Sequence, residues 1–260
     1  PIETFDKTYT QEQMDAAATY TYMAWKFGIK KRRLQNISGE ITKALNRKKE
    51  RLAAERLTNG FDTTYSHTQP LGATKSISLT GGDALEAWKT THTREDGGTS
   101  INNVVYDGTT YSLPFDYAGY KAAIRTMSLF TDGRGNPMPG MPDTLVCKKG
   151  SSVSFKAKEI LGAIKKGNIP ESNDNDGNGA PAFKVLELDY LTNDAYWFMM
   201  DSSRALTDEQ GFQWIESEAN NLDPVYIVPK TREMQFFGHS LATLGHNDVT
   251  RSCVASAGDS

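Results

Sequence analysis

One long amphipathic run limits what this chain can build. From Asn36 to Leu57 the apolar residues Ile37, Ile41, Ala44, Leu45 and Leu52 return at helical spacing. Asn36 or Ser38 supplies a cap, and Asn59-Gly60 follows as a stop. The other faces carry Glu40, Lys43, Arg47, Lys48, Glu50, Arg51 and Glu55, with Arg51 and Glu55 one turn apart, where opposite charges weakly support a helix. Such charges suit surface contacts better than catalysis. Ahead of the helix, Tyr9 to Phe27 joins helix formers (Gln11 to Ala18) to strand formers (Thr19 to Trp25) and favours neither type.

Downstream, Thr58 to Leu113 is rich in Thr, Gly, Ser and Asn, with short apolar pieces at Ile77-Leu79 and Asn103-Tyr106, which predicts short strands and long loops. A second helix is expected after Pro114, capped by Asp116, with Tyr117, Tyr120, Ile124 and Met127 on one stripe and Gly133 and Gly135 at its end. The proline-rich stretch Asn136 to Pro142 interrupts regular structure, because proline lacks an amide donor and fixes its own φ. A strand over Thr144 to Cys147 follows. A third helix starting at Ser151 or Ser152 is expected to bury Val153, Phe155, Ala157, Ile160, Leu161 and Ile164, ending at Gly167 with Lys165 and Lys166 near its C-terminal dipole. Glu171 to Gly179 reads as an exposed loop. Phe183 to Leu188 and Ala195 to Met200 read as a hairpin around Thr192-Asn193-Asp194, with further strands at Phe212 to Ile215, Val225 to Val228 and Gln235 to Leu241. The expected class is α+β with mostly antiparallel pairing and no solenoid repeat.

The chain has 260 residues and is 38% hydrophobic, enough to bury one large core or two interleaved ones. It has no apolar run of the roughly 20 residues that cross a bilayer and no signal-peptide pattern, so no membrane partner is expected. Cys147 and Cys253 are too few for a disulfide framework, which fits synthesis in a reducing cytoplasm. Pro1 in place of an initiator Met suggests that an upstream segment has been removed or is missing. Residues 1 to 60 hold twelve Lys/Arg against seven Asp/Glu, a charge of +5, so the rest carries −8 of the net −3. A bipolar subunit of this kind can pack against copies of itself, since opposite potentials steer association and fix register. The basic cluster Lys30, Lys31, Arg32 and Arg33 has no interleaved stacking aromatics and belongs to no nucleic-acid reading module.

Most chemical motifs fail on inspection. Asp174 to Gly179 begins like a calcium loop, but Val185 occupies the twelfth position, where a bidentate Glu is needed. His67, His92, His239 and His246 lack zinc-binding spacing. Gly238-His239-Ser240-Leu241-Ala242 matches a nucleophile elbow only loosely, because its closing glycine is Ala. Gly133, Gly135 and Gly140 fit no phosphate-binding fingerprint. Trp25, Trp88, Trp197 and Trp214 suit core or subunit contacts more than stacking on bases or sugars. No cofactor, metal or catalytic residue is nominated.

A set of segments, in order over residues 36 to 260, resembles the major capsid proteins of tailed bacteriophages. They are the charged helix ending Leu57-Thr58-Asn59-Gly60-Phe61, Thr91-His92-Thr93 with Ser100-Ile101-Asn102-Asn103, Leu113 to Tyr117, Asp132 to Pro137, Met141 to Val146, Ala157 to Leu161, Asp189-Tyr190-Leu191 and Tyr196 to Asp201. The resemblance implies the Hong Kong 97-type fold, shared with encapsulin nanocompartments. Residues 1–35 would form an N-terminal extended segment and part of an E-loop. Residues 36–109 would hold the spine helix and first part of a P-domain, 110–205 an A-domain, and 206–260 the returning P-domain strands and the C-terminus. The implied function is a non-enzymatic subunit that assembles into hexamers and pentamers of an icosahedral shell around double-stranded DNA in the virion. The implied partners are itself, portal, scaffolding or decoration proteins, and DNA by non-specific contact. Lys30 to Arg33, or Arg47, Lys48, Lys49 and Arg51, are the expected subunit-contact residues. The rivals are an encapsulin shell around enzyme cargo, and a carbohydrate-binding or hydrolytic α+β protein using Trp197, Trp214, Glu216 and Glu218.

Overall fold

A computed structural model describes residues 7–27, 36–68, 74–94, 96–166, 183–205, 211–246 and 248–258. The Cα trace divides into two compact units, one of residues 8–53 and 214–244, the other of residues 1–7, 54–213 and 245–260.

The first unit is a sheet covered by a helix. Strand β1 (Glu12–Tyr20) pairs antiparallel with β9 (Met234–His246), from Glu12 opposite Ala242 to Tyr20 opposite Met234. Strand β7 (Phe212–Leu222) lies on the other side of β9, and the two-residue β8 (Tyr226–Ile227) also pairs with β9. Helix α2 (Ile37–Thr58) contributes Ile37, Ile41 and Leu45 to a core with Met14 and Ala242, edged by Ala16, Ala18, Tyr20 and Phe236. Its apolar stripe is the one its sequence predicts. A Cβ on Gly238 would lie 2.5 Å from Ile41 Cγ2, so this glycine lets the helix approach the sheet closely.

The segment that favoured neither type resolves against local propensity. The helix formers make β1, and Thr19 to Trp25 leads through Tyr20 into the short helix α1 (Tyr22–Lys26), where Thr21 Oγ1 accepts from Ala24 N at 3.4 Å. Met14, Ala16, Ala18 and Tyr20 alternate toward the helix-covered face, and burial at period two outweighs the helix preference of alanine and glutamine.

In the second unit four strands run in the order β10-β6-β4-β5, comprising β10 (Cys253–Ser256), β6 (Trp197–Met200), β4 (Thr144–Lys148) and β5 (Lys184–Leu188). Two helices pack here, α3 (Tyr117–Ser128) and α4 (Ser152–Lys166), and a one-turn helix α5 (Ser202–Ala205) follows β6. One core gathers Phe115, Tyr120, Met127, Phe130, Leu145, Val153, Trp197 and Met199. Another gathers Leu57, Trp88, Val146, Leu191, Phe198 and Cys253. A separate hairpin, β2 (Thr64–Thr68) with β3 (Thr74–Ser78), supplies the short strands expected there.

Three expectations are corrected. The runs around Thr192-Asn193-Asp194 do not pair with each other, because β4 lies between them: β5 pairs with it in parallel and β6 antiparallel. The turn does form, with Ala195 N donating to Asn193 Oδ1 at 2.9 Å, but it links non-adjacent strands. A helix between β4 and β5 is the usual route to parallel neighbours, and the pairs β1-β9, β8-β9, β2-β3, β4-β6 and β6-β10 are antiparallel, as the sequence led one to expect of most. Phe155 is 61% exposed, since it lies two residues from Val153, about 200° around the helix, while Ser154 is buried in its place. Helix α3 ends at Ser128 with Leu129 as its C-cap, before Gly133 and Gly135, and its Met127 carbonyl also accepts from Gly140 N at 2.9 Å.

The helix starts conform. Asp116 Oδ1 accepts from Gly119 N at 2.7 Å, and Ser151 Oγ from Ser154 N at 3.2 Å, fixing α3 and α4. Gly167 and the Glu171 to Gly179 loop lie outside the described residues.

Candidate functional site

The four basic residues of α2 differ in what they touch. Lys49 Nζ forms an ion pair with the Glu216 carboxylate of β7, and this hydrogen bond holds Glu216 below the usual carboxylate range. Lys48 Nζ donates to the backbone carbonyl of Asp15 on β1. Both lysines reach back onto the sheet of their own unit. Arg47 and Arg51 are exposed. Lys30, Lys31, Arg32 and Arg33 lie outside the described residues.

The surface also carries apolar side chains that sequence periodicity did not single out. In the first unit Leu222, Val225, Tyr226, Ile227 and Phe237 are exposed, with Tyr226 and Ile227 each at 54%. These two belong to β8, and neighbours along a strand point to opposite faces, so β8 presents apolar surface on both sides. In the second unit Leu129, Met141 and Phe155 are at least 61% exposed. The available signal was the run Val225 to Val228 between Pro224 and Pro229, which reads as a strand but not as an exposed one.

Groups with catalytic potential are engaged structurally. Gly238 to Ala242 lies inside β9 in regular register with β1, and Ser240 Oγ donates to the Glu218 carbonyl at 3.0 Å, so the strained strand-to-helix turn of a nucleophile elbow is not formed. His239 sits 2.9 Å from Glu218 Oε1, which raises its pKa. His67 pairs with Glu55 at 2.9 Å. His92 Nδ1 lies 2.7 Å from Asp83 Oδ2, with both side chains buried. Burial alone would raise the Asp83 carboxyl, but the His92 hydrogen bond and charge outweigh it and hold it below the ordinary range. Cys147 and Cys253 are buried and free, their thiols pushed up by burial to about 11 and about 12. Neither is a ready nucleophile.

The aromatic ligand-binding expectation also loses a member. Trp197 is fully buried, donating through Nε1 to the Leu113 carbonyl at 3.0 Å, and offers no face to a sugar. Trp88 is likewise core, with Nε1 on the Leu57 carbonyl at 3.1 Å, whereas Trp214 is 39% exposed. Among the described residues no group of three or more His, Cys, Asp or Glu side chains could hold a metal ion, and no helix is long and apolar enough to cross a membrane.

No family model and no curated protein matches the chain. Solved structures similar to it include the procapsid of satellite phage P4 with its size determination (Sid) protein, at 9% identity and a TM-score of 0.46, covering 96% of this chain and 76% of that one. The capsid of Myoviridae phage XM1 aligns at 14% identity and a TM-score of 0.48, covering 96% and 74%. The capsid of an empty GTA particle aligns at 10% identity and a TM-score of 0.45, covering 96% and 72%. Scores of this size assign neither a fold nor a function on their own.

Proposed function

We propose that the chain is a major capsid subunit of the Hong Kong 97 type, assembling as hexamers and pentamers into an icosahedral shell that encloses double-stranded DNA. The supporting observation is where the resembling segments fall. Leu57 to Phe61 closes the long helix α2, Leu113 to Tyr117 contains the Asp116 cap of α3, and Met141 to Val146 leads into β4. Ala157 to Leu161 lies in α4 and Tyr196 to Asp201 spans β6. Segments that resemble the family loosely in sequence thus fall in or at the ends of regular elements.

On this reading α2 is the spine helix, residues 36–109 and 206–260 supply the P-domain, residues 110–205 the A-domain, and residues 1–35 part of an E-loop. The exposed apolar side chains support it physically. Contiguous apolar groups left in water, here the consecutive Val225, Tyr226 and Ile227, mark interaction surfaces, and obligate assemblies bury them against neighbours. Arg47 and Arg51, with Lys30 to Arg33, are proposed to meet acidic surface of the next subunit, while Lys48 and Lys49 brace the helix on its own sheet. Portal, scaffolding or decoration proteins and DNA backbone are the further proposed partners. Native mass spectrometry of the full chain tests the ring stoichiometry. Pentamers and hexamers support the reading, and a monomer at every protein concentration and salt overturns it.

A further inference from the structure

In the second unit, a cavity of about 220 Å³ is lined by Arg94, Thr99, Ser100, Asn102, Thr126 and Thr131, with Ile101, Tyr106 and Leu129 as its other walls. The volume far exceeds the ~10–15 Å³ that one water needs. None of these lining residues is acidic, and Arg94 is the only cation among them.

The polar groups divide into spent and unspent. Asn102 uses both ends of its amide on Val104, Thr126 Oγ1 donates to the Ala122 carbonyl at 2.9 Å, and Tyr106 donates to the Gly108 carbonyl at 2.5 Å. The hydroxyls of Thr99, Ser100 and Thr131 make no side-chain hydrogen bond among the described residues.

Arg94 is the stronger observation. Its side chain is only 10% exposed, and a guanidinium carries five N–H donors. Among the described residues it spends one, from Nη2 to Asp96 Oδ2, and Nε has no acceptor. Asp96 is itself shared, since its Oδ1 accepts from Gly98 N at 2.9 Å. The backbone makes room for this side chain. Gly135, at φ +83°, presses against Nη2 where a Cβ would collide, and a Cβ on Gly98 would lie 2.8 Å from Nη1. Nε is walled off from water, so any ligand must use the terminal nitrogens beyond the one donor spent on Asp96, and a planar guanidinium fork is best matched by the paired oxygens of a phosphate or carboxylate.

We propose that this cavity binds a small oxyanion of the phosphate class, held by the Arg94 guanidinium and the hydroxyls of Thr99, Ser100 and Thr131. The phosphate is either a free ion or a group on a polynucleotide, and the site stands independently of the shell reading. The test is thermal unfolding and calorimetric titration of the full chain with inorganic phosphate, against chloride at matched ionic strength. Saturable binding that raises Tm is expected, and Arg94→Gln should weaken it at least tenfold. Should Arg94→Gln fail to fold, the Thr99→Val, Ser100→Ala double variant is read instead. Both of its positions are exposed, so folding should survive while affinity drops several-fold. An oligothymidylate that competes with phosphate identifies a polynucleotide source, and one that does not identifies the free ion. No saturable phosphate effect, or equal affinity in the parent and the folded variants, overturns the proposal.

Discussion

His246 shows what a single buried residue can impose on this protein. Burial holds its imidazole down at about 4 from an ordinary value near 6.5, with the His92 charge lowering it further and Asp83 opposing. Arg56 and Lys7 add to the lowering. A histidine depressed in the folded state takes up its proton more readily when unfolded, so its contribution is fully present above pH 6.5 and is lost as pH falls toward 4. A shift of this size is worth up to about 3 kcal/mol. Urea unfolding at pH 7 and pH 4.5 should therefore show a loss that His246→Asn reduces, and an equal loss in the variant contradicts this account. The sequence placed His246 in surface or core without choosing, because burial of one imidazole depends on chain far from it.

Between elements, the closest approach is that of α2 to β9 at Gly238. A branched side chain there must push Ile41 away from the core it shares with Met14, Leu45 and Ala242. Gly238→Val is expected to cost about 1–3 kcal/mol by overpacking, read as a lower urea midpoint at unchanged slope. A variant as stable as the parent would place the helix further from the sheet than described. The helix itself was legible in the sequence, since Ile37, Ile41 and Leu45 fall on one stripe whatever covers them. The caps at Asp116 and Ser151 were legible too, because a cap is a local interaction. What eluded the sequence was set by neighbours distant in the chain. The alanines of β1 became a strand because α2 covers alternate residues, and β5 and β6 were kept apart because β4 pairs with both. Phe155 was misassigned for a different reason: hydrophobicity was counted without its angle around α4.

At the scale of the whole molecule, the charge imbalance between residues 1–60 and the rest, together with apolar side chains left in water, is what self-association would use. Tyr226 and Ile227 are already half in water, so Tyr226→Asp with Ile227→Asp should leave the fold intact while abolishing higher assembly. Reversing Arg47 and Arg51 to Glu should lower assembly yield and change its salt dependence, the charges being screened over about 10 Å at 0.1 M salt. Unchanged assembly in both variants would move the contacts elsewhere on the surface. The candidate site was legible only in part: the basic residues stand out in the sequence, but the ties of Lys48 to Asp15 and of Lys49 to Glu216 follow from the fold. Negative-stain electron microscopy of particles formed by the full chain tests the central claim most directly. Regular icosahedral shells of uniform diameter are the expected result, and only small monodisperse particles, under every condition tried, would contradict it.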